Sequence, residues 1–359
     1  MGRCSKALRL ASLIFILARA SNATRYSIVD TTIGGVLAAK RIQNDDTSEY
    51  VETIVDYGGR VEDLVLNSRT TGVQRKVLLT HHDNATAVLE NKWWKGMLLL
   101  PWANRIAYGK YEFFNASYQL PVNENTTDPP RHNALHGLMP GRKLTVTGSQ
   151  ITTSSASLQL SYHFDKPLPG YPFTFDVVIN YTLSESGFSM HFTVTNRMES
   201  FPMPFYMGWH PYFVCTAYKT YVVLDKCTTW NHVELNTNMD PTGITKLYHG
   251  LNGSQPIGGT ETNPTFFDDE FKPVSPDSPE CNVIQTRLYD VDTSQTAVLW
   301  QDSSFRLVHV FTGSESLFHE DAIAVEPMSG MADAYNNHDH LSVLSGGETW
   351  SGSFGVYVE

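Results

Sequence analysis

The sequence predicts an all-β protein, one large and mostly antiparallel sandwich, on three observations. Several segments alternate apolar and polar residues with period two, as strands with one buried face do. Pro and Gly cluster between those segments, at 167–172, 200–204, 253–264 and 273–279. After the first two dozen residues, no long stretch carries the 3.6-residue apolar repeat of an amphipathic helix.

In chain order, residues 143–152 (KLTVTGSQIT) and 158–164 (LQLSYHF) open the alternating pattern. Residues 173–183 (FTFDVVINYTL) and 188–195 (FSMHFTVT) follow and read as a hairpin closed by Ser184-Glu185-Ser186-Gly187. Residues 296–301, 305–312 and 354–358 continue it. Polar, Pro-rich stretches such as 121–131 read as long surface loops, where function is commonly carried. No shift in composition and no internal repeat marks a boundary, so residues 24–359 are expected to form one domain.

The 359 residues hold 26 Lys+Arg against 37 Asp+Glu, a formal charge of −11. Charged residues make up 18%, below the roughly 25% of an average soluble domain, and aromatics 12%. A disordered chain would be more charged and less aromatic. The acidic balance also argues against a nucleic-acid partner, because phosphate contacts require a basic stripe.

Residues 1–23 read as a cleavable secretory signal. Arg3, Lys6 and Arg9 precede a short apolar run over 10–18, and Ser21 and Ala23 put small residues at −3 and −1 of a cut after Ala23. Such a run is too short for the roughly 30 Å of bilayer hydrocarbon. The expectation is a secreted protein with no membrane insertion, left with 22 basic and 37 acidic residues, a charge of −15. Secretion permits disulfides among Cys215, Cys227 and Cys281. Cys215 and Cys227 are near enough in sequence to close a local loop that leaves Cys281 free, but the sequence does not decide the pairing. Asn84, Asn115, Asn125, Asn180 and Asn252 stand in N-glycosylation triplets, and Asn22 straddles the expected cut.

Four segments place ionisable groups among rigid, apolar neighbours. Leu100-Pro101-Trp102-Ala103-Asn104-Arg105-Ile106 offers a forked donor in Arg105, with Asn104 to orient it. His132-Asn133-Ala134-Leu135-His136-Gly137 is the second. Gly208-Trp209-His210-Pro211-Tyr212-Phe213 locks a histidine among aromatics that would either face a sugar or fill the core. In Ala324-Val325-Glu326-Pro327-Met328, an acid ends an apolar run, and burial there would lift its pKa towards that of a general base. Phe266-Phe267-Asp268-Asp269-Glu270-Phe271 is a lesser candidate, equally readable as a solvated acidic turn. Taken singly, an Arg paired to a structural acid or a hydrogen-bonded structural His explains each as well.

In this order the segments resemble the aldose 1-epimerases (galactose mutarotases). The resemblance runs from Gly58-Gly59-Arg60-Val61-Glu62-Asp63-Leu64 through Asn104-Arg105-Ile106, Asn133-Ala134-Leu135-His136-Gly137, His210-Pro211-Tyr212-Phe213 and Asp268-Asp269-Glu270-Phe271 to Glu326 and Asp333-Ala334-Tyr335-Asn336. It implies a β-supersandwich, a monosaccharide substrate, Glu326 as general base, His210 as general acid and His136 as the second active-site histidine. Arg105 and Asp268 match sugar-hydroxyl contacts and Asn104 a support for the arginine. Family members often carry Gln or another residue where this chain has His309; if His309 faces the pocket as a substrate contact, the preferred sugar need not be galactose. The implied chemistry opens and recloses the sugar ring by acid–base catalysis, with no metal, nucleotide or covalent intermediate required. Two other readings fit the same residues: a carbohydrate-binding protein without activity, and a glycoside hydrolase or lyase using Glu326 and Asp268 as paired carboxylates.

Overall fold

The structure, a computed structural model, describes residues 25–125, 127, 130–275, 281–313 and 322–359. The expected leader and Asn22 lie outside the described residues. Each alternating segment of the sequence forms a strand: Thr145–Ile151, Ser155–Phe164, Phe175–Ser184, Gly187–Asn196, Gln295–Asp302, Leu307–Phe311 and Thr349–Val358. In Phe175–Ser184 buried and half-buried residues alternate without a break. The expected hairpin is present, with Ser184 paired to Gly187 across Glu185 and Ser186.

Two large antiparallel sheets make the sandwich. One runs Thr145–Ile151, Ser155–Phe164, Phe175–Ser184, Gly187–Asn196, Thr349–Val358, Gln295–Asp302, Val283–Asp290, Thr220–Val223. The other runs Pro241–Tyr248, Trp230–Leu235, Asp268–Pro273, Leu307–Phe311, Ala322–Met328, Gly208–Trp209, Leu98–Leu99, with Tyr212–Val214 also paired to Ala322–Met328. Tyr26–Ile33, Leu37–Asn44, Tyr50–Ile54, Arg60–Asn67 and Gln74–Lys76 add a five-stranded antiparallel sheet. A continuous buried apolar cluster extends from Tyr26 to Val358. Helices are short: Ala85–Glu90 and Ala334–Asn337 among the described residues.

Two aromatics that the sequence left open between sugar face and core belong to the core. Trp209 stacks on Phe354 at 5.4 Å, and Phe213 is fully buried. Period two explains it, since His210 and Tyr212 then share the opposite face. The local cysteine loop does not form. Cys227 bonds to Cys281, with Cα atoms 5.4 Å apart, while Cys215 is free and buried. Cys215 directly follows Tyr212–Val214 and turns into the core. The Asp225 carboxylate, by contrast, accepts from the Gln285 N–H at 2.7 Å and holds the segments carrying Cys227 and Cys281 together. The described residues of 121–131 form neither helix nor strand, as expected of a loop, but they are not purely surface, because Glu124 is buried.

Gly96 joins the N-terminal sheet to the sheet that carries the site. Its carbonyl accepts from Val61 N–H and from Trp209 Nε1, and its N–H donates to the His210 carbonyl at 2.8 Å. With φ at +69° and the Val61 carbonyl where a Cβ would stand, only glycine fits. Gly96→Ala is expected to cost upwards of about 2 kcal/mol, seen as a lowered urea midpoint; an unchanged midpoint would contradict this junction.

Candidate active site

The site is laid out by strand register. Glu270 pairs with His309, and His309 with Glu326, across three adjacent strands, so the three side chains stand in a row on one face. Asp268 and Phe311, two residues along their strands, and Tyr212, paired to Ala324 as Phe311 is, join that face. Above it lies a cavity of about 580 Å³ lined by His136, His210, Glu326, Asp268, His309 and Arg105, with Asn104 and Glu124 beside them. Trp93, Trp94, Tyr212 and Phe311 supply aromatic wall, and Arg131 reaches the cavity from the 121–131 loop.

The Asn104 and His136 segments are built against each other. Leu135 pairs with Arg105, and both Asn104 (φ +56°) and His136 (φ +62°) adopt the left-handed conformation. His136 N–H donates to the Asn104 carbonyl at 3.0 Å, and Asn104 N–H donates to His136 Nδ1 at 3.2 Å. Accepting there leaves the neutral imidazole's proton on Nε2. Gly137 follows at φ +73° because a Cβ would overlap the Leu100 carbonyl. Asp333, from the last motif, braces the arm from behind: its N–H donates to the Arg105 carbonyl at 2.7 Å, and Oδ1 accepts from Ala107 N–H at 2.9 Å.

Arg105 is buried and held on three sides. Nε and one terminal nitrogen donate to the Glu124 carboxylate at 3.0–3.1 Å, the other terminal nitrogen donates to Asn104 Oδ1 at 3.0 Å, and Asp268 lies 3.5 Å away. Glu124 also accepts from Asn133 Nδ2 at 3.1 Å and Arg131 at 3.3 Å. His309 Nε2 lies 3.0 Å from Asp268 Oδ1, and its Nδ1 lies 3.2 Å from Asn104 Nδ2. Burial alone would raise the Asp268 pKa, but Arg105 and His309 outweigh it and hold the carboxyl well below its usual range.

The opposite end of the cavity has few compensating charges. Glu326 is 1% exposed, and burial pushes its pKa up to about 8. His210 Nε2 is 3.5 Å from Glu326 Oε1, and His210 Nδ1 and Glu326 Oε2 have no hydrogen-bond partner among the described residues. Burial lowers His210 to about 3 and also lowers His136, which His210 and Arg105 depress further. His210 stacks on Tyr212 at 4.9 Å and meets His136 edge-on at 5.3 Å. Near neutral pH the Glu326–His210 pair therefore carries one proton, resting mainly on the carboxyl.

All seven catalytic and sugar-contact residues expected from the sequence meet in this cavity. What sequence reasoning missed is its rim. Glu124 sits in a loop that reads as polar surface, and nothing in its local pattern pairs it with Arg105, 19 positions away. Trp93-Trp94 offered a weak signal, two adjacent indoles between lysines, of which alternation in a strand could bury only one. Among the described residues, no cluster of His, Cys, Asp and Glu is arranged to hold a metal.

The two-sheet antiparallel sandwich is that of the galactose mutarotase-like fold. The chain belongs to the aldose 1-epimerase family, whose profile matches residues 40–357. YihR of Escherichia coli (strain K12), described as an uncharacterized protein, is 26% identical over 266 residues, 73% of this chain and 78% of that protein. A galactose mutarotase-like protein from Clostridium acetobutylicum superposes with a TM-score of 0.77 at 19% identity, over 93% of this chain and 99% of the other. A galactose 1-epimerase from Lactobacillus acidophilus NCFM does so at 0.70 and 14%, over 94% and 99%. At these identities the two structures attest the fold.

Glu270, at the end of the row, is fully buried, and among the described residues its carboxylate accepts only from Ala332 N–H, at 3.2 Å. Burial raises its pKa from 4.5 to about 7. Between those values the unfolded chain has lost a proton that the folded chain keeps, so this group's contribution to stability falls as pH rises, by up to about 3 kcal/mol. Glu270→Gln keeps the acceptor and removes the titration. Its Tm relative to the unmodified protein is expected to rise between pH 5 and pH 8; a constant difference would refute the shift.

Proposed function

We propose that this chain is a secreted aldose 1-epimerase that interconverts the α and β anomers of a free aldose of the glucose or galactose type. The observation that carries this reading is the Glu326–His210 pair: an acid and an imidazole 3.5 Å apart, each with a polar atom that has no partner among the described residues, in a bounded cavity. A carbohydrate-binding protein would have no need of that arrangement. The hydrolase pairing fits less well, since Asp268 is committed to Arg105 and His309 and is held ionised.

With a sugar bound, Arg105 and Asp268 hold ring hydroxyls, and Asn104 keeps the guanidinium in plane. The pair's proton moves to His210 Nε2, giving a carboxylate beside an imidazolium. Glu326 takes the proton of the anomeric hydroxyl while His210 gives its own to the ring oxygen, and the bond from C1 to the ring oxygen breaks. His136, with its proton fixed on Nε2, donates to the same region. The open aldehyde turns about the C1–C2 bond. The new hydroxyl then adds to the other face of C1, and both protons return along the same paths.

Secretion is part of the proposal and rests on the sequence of residues 1–23. Asn84, Asn115, Asn125 and Asn252 are exposed, as glycan carriers must be. Asn180 is half-buried in the middle of a strand and bonded to Gln159, which makes it a poor acceptor.

Polarimetry on freshly dissolved α-glucose and α-galactose tests the activity, with Glu326→Gln and His210→Ala each expected to lower kcat by at least about 10²-fold. Wild-type protein that accelerates no common aldose over buffer would sink the reading. Because the pair needs one proton in all, kcat/KM is expected to stay level around neutrality and to fall as pH rises through about 8, where Glu326 ionises without a proton on His210. A rate that climbs through that range would reverse the assignment of the resting proton.

A further inference from the structure

His309 faces the cavity, yet the direction of its hydrogen bonds removes it from direct contact with sugar. Arg105 can only donate, so the Asn104 atom it meets at 3.0 Å is the carbonyl oxygen. That fixes the amide, and the group 3.2 Å from His309 Nδ1 is therefore Asn104 Nδ2, a donor. Nδ1 must accept, the ring proton lies on Nε2, and Nε2 donates to Asp268 Oδ1 at 3.0 Å. Both ring nitrogens are used inside the protein.

We propose that His309 is a positioning residue, a neutral imidazole protonated on Nε2 that closes the directed chain Arg105–Asn104–His309–Asp268 and so fixes the two groups that hold the sugar. This rests on the epimerase reading of the same cavity. It replaces the role of substrate contact expected of His309, a departure from the family pattern, should it face the pocket.

Several groups act on the ring's charge. Asp268 and Glu270 face it from one neighbouring strand and Glu326 from the other, with Arg105, His136 and His210 also nearby; counted as charges, the three acids outweigh burial and raise the ring's pKa to about 9. Two of the three acids are weak attractors near neutral pH, because burial raises Glu326 to about 8 and Glu270 to about 7. Asp268 shares its charge with Arg105 and Arg131. A proton on Nδ1 would also set donor against donor at Asn104, and turning that amide would only move the conflict to Arg105. The chain therefore breaks when the ring becomes an imidazolium.

Two variants and one spectrum test this. A glutamine carries one acceptor and one donor and does not titrate, so His309→Gln is expected to keep KM within about threefold of wild type and to abolish any acid-side rise in KM. His309→Leu, which has neither group, is expected to raise KM at least tenfold with kcat within about threefold. In 15N-labelled protein, the imidazole signal that His309→Gln removes should report, at pH 7.5, a protonated Nε2 and a bare Nδ1. An imidazolium with two protonated nitrogens, or a His309→Leu variant of unchanged KM, would overturn the proposal. The tautomer is read without turnover, so a wild type that lacks epimerase activity would count against the proposed function and leave the ring assignment to the spectrum.

Discussion

The ionisable side chains buried on one face of three registered strands are the constraint to which the rest of the site answers. An isolated charge at Glu326, His309 or Asp268 would be costly in a water-poor interior, so each must be neutralised, paired or hydrogen-bonded. The protein uses both solutions, and they segregate along the row. At the Asp268 end, Arg105 and Arg131 meet Glu124 and Asp268 as opposite charges, and His309 joins them through its hydrogen bonds. At the Glu326 end, no Lys or Arg among the described residues pairs with the carboxyl, and burial keeps the groups in their neutral forms.

That network explains features of the fold that are otherwise arbitrary. The left-handed backbone at Asn104 and His136 and the glycine at 137 bring two loop segments close enough to bond each other. Without that contact, Asn104 could not both orient Arg105 and reach His309. Strained conformations of this kind persist where the surroundings over-determine them, and here a strand pair, a buried ion pair and Asp333 all do so.

What the sequence made legible follows from the range over which each signal acts. Period-two alternation is local, so strands and the 184–187 hairpin could be read residue by residue. The short motifs around Arg105, His136, His210 and Glu326 were legible because rigid neighbours (proline, glycine, aromatics) surround each ionisable group. Glu124 was not, because its partner is distant and its own segment looks solvated. The cysteine pairing was not, because register between Thr220–Val223 and Val283–Asp290 brings Cys227 to Cys281, and sequence spacing carries no record of it. His309 could be placed in the cavity by its strand, but its role depends on which way an amide points, a property of the assembled chain.

The segregation of charge has a chemical consequence for a neutral sugar. A polyol entering the cavity meets preset donors and acceptors at the Arg105–Asp268 end, where binding needs no reorganisation. At the Glu326 end the cavity holds a carboxylic acid and a neutral imidazole, so in the proposed reaction no ion would have to be stripped of water as the anomeric carbon arrives. The carboxylate–imidazolium pair that the proposed proton exchange calls for would form by moving one proton over a short path, and the two charges it creates would lie beside each other. Under the proposed reaction, poising the pair in its neutral form would let one buried site serve both directions of an isomerisation, since each passage of the sugar through the open form would restore the proton to where it started.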